Sequence, residues 1–216
     1  MFLGHFAVGF AAKRVAPRAS LGTLFAAAQF LDLLWPPLIL AGIETVQVAP
    51  GDTAYTPLRF TSYPWSHSLL LALAWSAIFA LAYRARTGHS REALVVGALV
   101  ASHWALDFAS HRPDLPLAPG AAKVGLGLWD SIPATLAVEG ALFALGVVLY
   151  VRGTRARSVA GRAGLWALIA VLLAIDAASL LGPPPPGPRA VGVAGLAVWL
   201  LVLWGAWVDR GRRAIS

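Results

Sequence analysis

Long apolar stretches, each closed by a short polar loop, constrain this chain more than any other feature. Residues 21–43, 66–83, 92–110, 131–151, 163–181 and 190–208 each lie close to the ~20 residues that cross a bilayer core. Charged residues make up only 12% of the chain, about half the share usual in a soluble domain. The pattern predicts an all-α, polytopic membrane helix bundle forming one integral membrane domain over residues 1–216, with about six transmembrane helices. Phe2–Ala12 is apolar but too short to span, so it reads as a half-length helix lying at the interface or entering part way. Its positive charges (Lys13, Arg14 and Arg18) follow the apolar stretch, whereas a secretory signal has them before it, so this segment is expected to be retained.

The intervening segments punctuate the spans. Pro36 and Pro37 are expected to kink the first one. Residues 44–66 read as a loop or short lid, and 111–130 as a Pro- and Gly-rich loop. Pro183 to Pro186 form a stiff connector before the last span. Gly97 and Ala101 read as small residues for close helix packing.

Placing Lys and Arg on alternate sides of this division puts 13 on one side and 4 on the other. The positive-inside rule then makes the basic side cytoplasmic, with the C-terminus inside. The net charge of +7 is thus explained by insertion topology, with no nucleic-acid partner. The expected partner is the lipid bilayer itself. Trp65 and Trp129 fall beside the outer ends, where an interfacial belt is expected. The chain has no cysteine, which excludes disulfides, thiolate zinc sites and cysteine nucleophiles.

Against this background a few polar residues stand out. His103 and Asp107 are four apart in an apolar run, so a helix puts both on one face, one turn apart. Asp32 lies in Phe30-Leu31-Asp32-Leu33-Leu34, and His67 in Pro64-Trp65-Ser66-His67-Ser68, where Ser66 is the more natural helix cap. His5 sits in the half-length helix; a lone histidine near a terminus is usually exposed. Counting from the nearest basic loop, Asp32 is about 21 Å deep, His103 about 18 Å, Asp107 about 24 Å, His67 about 26 Å, and Glu139 and Asp176 about 20 Å, at 1.5 Å per helical residue. These depths share the outward half of the membrane, which points to one polar cavity open toward the outer face.

Intramembrane ionisable groups are costly and each needs a partner. Asp32, His67, His103 and Asp107 are the expected ligands of one divalent ion, zinc being well suited to imidazole and carboxylate donors. His5 is expected nearby as ligand, acid/base or positioning group. Glu139 reads as a general base or ligand, or equally as a helix-to-helix hydrogen bond, and Asp176 as the latter, near Ser179. His111 and Asp114, in the outer loop, are further ligand candidates. The bland alternative for His103 and Asp107 is a pair that joins two helices.

On these residues the sequence resembles the membrane-bound metal-dependent hydrolase family. The matching elements are the early His5, the Asp32 segment, Ser66-His67-Ser68, and His103 with Asp107, covering roughly the first 110 residues; residues 111–216 read as supporting helices. The order of ligands is also similar to that of zinc-dependent phospholipases C. Where the family's Asp segment carries a second acid, Leu34 stands here, and Tyr63-Pro64-Trp65 replaces a basic residue or His. The resemblance implies a hydrolase acting on an amphiphile, such as a phosphoester lipid, through a metal-activated water. A proton or metal-ion transporter, or a structural membrane protein without catalysis, is the alternative expectation.

Overall fold

Residues 1–215 are described by a computed structural model of the chain. Helices α1 (Phe2–Ala12), α2 (Leu21–Ala28) and α3 (Phe30–Leu40) come first, followed by a hairpin of β1 (Thr45–Val48) and β2 (Leu58–Ser62). A short helix α4 (Pro64–His67) leads into α5 (Leu69–Thr87) and α6 (Ser90–Ser110). After α6 come a two-residue ladder, β3 (Leu115–Pro116) against β4 (Lys123–Val124), and a 3-10 turn at Leu128–Asp130. The chain then runs through α7 (Ile132–Gly153), β5 (Thr154–Ala156), α8 (Val159–Leu181), α9 (Pro188–Gly195), α10 (Val198–Arg210) and β6 (Arg212–Ala214), with β5 paired to β6.

Five helical segments are long and apolar enough to cross a membrane, with α9 and α10 counted as one; a bent α2–α3 pair would make a sixth. Leu70, Leu73, Leu81, Leu200, Leu203 and Trp207 point bare apolar surface outward. A soluble fold would not leave such patches uncovered, whereas hydrocarbon covers them without cost. The protein is an all-α integral membrane helix bundle.

Helix α1 is the unusual element. At 11 residues it is about 16 Å long, yet it neither lies on a surface nor faces lipid. It is largely enclosed, with Phe2, Val8 and Ala11 half-buried, and His5, Phe6 and Phe10 have no exposed area. It packs on α2, α6, α7 and α8. Phe6 and Phe10 meet Phe25 edge-on at 4.9 and 4.8 Å, and Phe10 meets Tyr150 at 5.3 Å. Each such aromatic pair contributes about 0.5–1.5 kcal/mol beyond its burial. Gly146 permits the close approach of α7, since a Cβ there would collide with the Ala7 backbone. At its basic end Lys13 Nζ donates to Asp209 Oδ2 at 2.7 Å and to the Ala19 carbonyl at 2.8 Å, and Tyr150 donates to Asp209 Oδ1 at 3.0 Å. A buried ammonium is thereby paired, and α1, α7 and α10 are pinned together.

Three expectations need correction. The first span does not kink at its prolines: Pro36 and Pro37 lie inside α3, and the 58° bend falls at Gln29, between α2 and α3. There the Ala28 carbonyl accepts a hydrogen bond from His103. The cap of α5 is Ser68, which accepts from the Leu71 amide, and Ser66 is used elsewhere. Trp129 does not stand in an interfacial belt: it is buried, its ring 4.4 Å from that of His111. The packing expected of Gly97 is present, with Ala80 and Ser76 of α5 against it.

Candidate metal centre

Three segments meet at the N-terminal end of α1. Helix α3 carries Asp32 in its first turn, α4 ends on His67, and α6 brings His103 and Asp107 on one face. His103 Nε2 is 3.2 Å from Asp107 Oδ2 and 3.7 Å from Asp32 Oδ1. His67 Nε2 is 3.4 Å from Asp32 Oδ1 and 3.7 Å from Asp107 Oδ2. His67, His103 and Asp107 are buried, whereas the Asp32 side chain is 31% exposed.

Hydrogen bonds on the far side of each ring fix what the near side offers. His103 Nδ1 is 2.7 Å from the Ala28 carbonyl, which only accepts, so Nδ1 carries the proton. His67 Nδ1 is 2.6 Å from Ser66 Oγ, which itself donates to Glu44 Oε2 at 2.6 Å. The serine hydrogen is committed to the carboxylate, so His67 Nδ1 is also the donor. In the neutral rings both Nε2 atoms then present lone pairs, and they face two carboxylate oxygens. The buried His103 Nε2 has no hydrogen-bond partner among the described residues. Acceptors converging on acceptors repel one another unless a cation stands between them.

Donors each 2.0–2.1 Å from one tetrahedral ion would stand about 3.3 Å apart. The four imidazole-to-carboxylate spacings, 3.2 to 3.7 Å, lie close to that value, and Asp32, His67 and His103 form one mutually close ligand group, with Asp107 reached from the two histidines. The donor set, two imidazoles and two carboxylates, suits zinc or another first-row divalent ion. The outer partners have the form expected around metal-bound histidines, with each remote N–H held by an oxygen.

His5 joins the cluster from α1 and is fully buried, unlike the usual lone histidine near a terminus. Its Nε2 is 3.0 Å from Asp107 Oδ1, and its ring lies on that of His103. The Met1 amino group is 2.9 Å from the same oxygen. Together with His103 and Asp107, His5 forms a second potential ligand group, but its Nε2 addresses the oxygen of Asp107 that points away from His67. Glu139 is placed differently from the acid/base role considered for it. Its Oε2 accepts the amides of Leu3 at 2.8 Å and Gly4 at 3.3 Å, capping the positive end of α1.

Asp32, His67 and Asp107 open onto a cavity of about 530 Å³. Its walls are mostly apolar and include Trp35, Phe60, Ile175, Pro183, Val191 and Ala194. His111 and Asp114 are not ligands of the cluster; they pair with each other. His111 Nδ1 is 2.8 Å from Asp114 Oδ1, which also accepts from the Tyr63 hydroxyl at 3.2 Å. Burial, then the charge of Asp114, raises the Tyr63 phenol far above its ordinary value, so it remains a donor. His111 lines the cavity. Asp176 does too, and its partner is Tyr55, whose hydroxyl donates to Oδ1 at 2.8 Å. Ser179 instead bonds the Ile175 carbonyl.

The role of Glu44 has no signal in the sequence. It sits in a loop, yet it is buried and its Oε1 accepts the amides of Trp65 and Ser66 at 2.7 and 2.9 Å. It thus holds α4 and, through Ser66, the ring of His67.

No family model matches the chain, nor does any curated protein or solved structure.

Proposed function

We propose that this protein is a membrane-embedded, metal-dependent hydrolase acting on an amphiphile with a phosphoester headgroup. The observation that carries the reading is the meeting of Asp32, His67, His103 and Asp107 lone pairs beside an apolar-walled cavity that Asp32, His67 and Asp107 line. These four residues would hold one divalent ion, zinc in first place. When bound, such an ion supplies Lewis acidity toward a substrate oxygen and lowers the pKa of water.

The chain's own groups have separable tasks. Ala28 and the Glu44–Ser66 pair orient the two ligand rings. His5 holds Asp107 from behind. Asp32, the most exposed of the four, borders the cavity and so the path of an incoming headgroup. Proton transfer falls to His111, kept in one tautomer by Asp114, because His5 and Glu139 lie outside the cavity lining. The apolar walls take the hydrocarbon part of the substrate. Lys13, Asp209 and Tyr150 tie off the opposite end of the bundle, an arrangement that supports hydrolysis over a through-going ion path. The membrane is proposed to be a bacterial inner membrane, with the basic end and the C-terminus cytoplasmic and the cavity facing outward.

Metal analysis of detergent-purified protein tests the reading. One equivalent of a divalent ion, lost in His103→Ala together with phosphodiesterase or esterase activity, is expected. Wild-type protein that binds no divalent ion at neutral pH would sink it.

A further inference from the structure

The cavity holds a second polar spot that the centre does not use. Asp176 and Tyr55 line it alongside Asp32, His67 and Asp107. Tyr55 occupies Oδ1 of Asp176. The second carboxylate oxygen has no hydrogen-bond partner, yet it is not among the fully enclosed unpartnered atoms, so it keeps accessible surface on a residue that lines the cavity. Asp176 takes part in no ion pair among the described residues. No Lys or Arg is among the residues lining the cavity, and the one ammonium that is, the Met1 amino group, is engaged by Asp107. A carboxylate so placed, in a mostly apolar chamber, selects for a hydrogen-bond donor with positive charge.

We infer that Asp176 and Tyr55 form a headgroup subsite for the ammonium of a phosphoethanolamine-type amphiphile. The inference rests on the reading of the cavity as a lipid-headgroup site and names the headgroup it takes. The phosphate of such a molecule belongs at the cationic centre, its ammonium at Asp176, and its hydrocarbon along Ile175, Val191 and Ala194. A phosphoglycerol headgroup brings no cation to Asp176. A quaternary ammonium brings the charge without an N–H to donate.

The test uses metal-free, full-length protein, in which neither lipid is hydrolysed and the phosphate they share cancels from the comparison, in mixed micelles with equal phosphatidylethanolamine and phosphatidylglycerol, retained lipid being read by native mass spectrometry. Wild type is expected to prefer phosphatidylethanolamine on the order of tenfold, the size of one charge-assisted hydrogen bond. Asp176→Asn should bring the two lipids to parity. Tyr55→Phe keeps the carboxylate but not the phenol that orients it, and should reduce the preference even if Asp176→Asn does not fold. Equal retention by wild type, or a preference unchanged in either folded variant, would overturn the subsite. Displacement of bound lipid by free phosphoethanolamine at similar concentration would overturn the lipid as source. Adding zinc separates the two readings. Lipid preference without any hydrolysis refutes the hydrolase and spares the subsite; hydrolysis of both lipids at equal rates without preference refutes the subsite alone.

Discussion

His5 lies flat on His103, with ring centroids 3.6 Å apart and planes 7° from parallel. The two rings divide Asp107 between them: His5 faces Oδ1 at 3.0 Å and His103 faces Oδ2 at 3.2 Å. The short central helix therefore braces the carboxylate that α6 presents. His5→Ala should weaken metal affinity by about 10- to 100-fold, the usual cost of losing an outer-shell partner. His5→Phe, which keeps the stack and loses the contact to Asp107, should fall between that variant and wild type. Titration with a competing chelator measures both.

Glu44 should behave as part of the centre although it touches none of the four donors. Ser66→Ala breaks the link from Glu44 to His67 Nδ1 and is expected to cost about tenfold or more in metal affinity. Glu44→Ala also strips the acceptor from two α4 amides. It should lower thermal stability as well, by about 1.5–3 kcal/mol for a lost charged acceptor.

His111→Asn separates proton transfer from metal binding. Hydrolysis should drop on the order of a hundred- to ten-thousandfold, while metal content stays at the wild-type level. Loss of the metal in this variant would instead place His111 among the ligands.

Gly146→Ala tests the seat of α1. The added methyl meets the Ala7 backbone, and overpacking of this kind costs about 1–3 kcal/mol. The melting temperature should fall, and metal retention with it, because the displaced helix carries His5.

The hairpin has its own pH dependence. Hydrogen bonds from Arg59, and then from Arg112, hold the Asp52 carboxyl below its ordinary value. A carboxyl depressed in the folded state stabilises the fold above its unfolded value of about 3.9, and that contribution is lost as pH falls through the folded value. Melting curves taken between pH 7 and pH 3 should show a smaller decline for Asp52→Asn than for wild type, from a lower starting point.

The spans and most of the cluster were legible because they follow from period and cost. His103 and Asp107 share a helix face by spacing alone, and Asp32 has no reason to sit among Phe30, Leu31, Leu33 and Leu34 unless something binds it. Glu44 was not legible, since a glutamate in a loop is ordinary until the chain folds over it. The burial of His5 was not legible, because distance from a terminus says nothing about whether later helices will wrap the segment. The bend at Gln29 was missed for a similar reason: Pro36 and Pro37 are the visible breakers, whereas the actual break lies beside a carbonyl taken by His103 from 75 residues away. Asp176 was read as a tie between helices; its partner came instead from a loop, through Tyr55.

The half-length of α1 also bears on biogenesis. A segment of 11 apolar residues is too short to be released into lipid as a span of its own, and its polar His5 would meet hydrocarbon alone if it went first. It can be enclosed only once α2, α6 and α7 are in place around it. On the proposed reading, metal binding is then a report on completed insertion: a half-built bundle lacks the brace that His5 places behind Asp107 and would hold the ion less tightly.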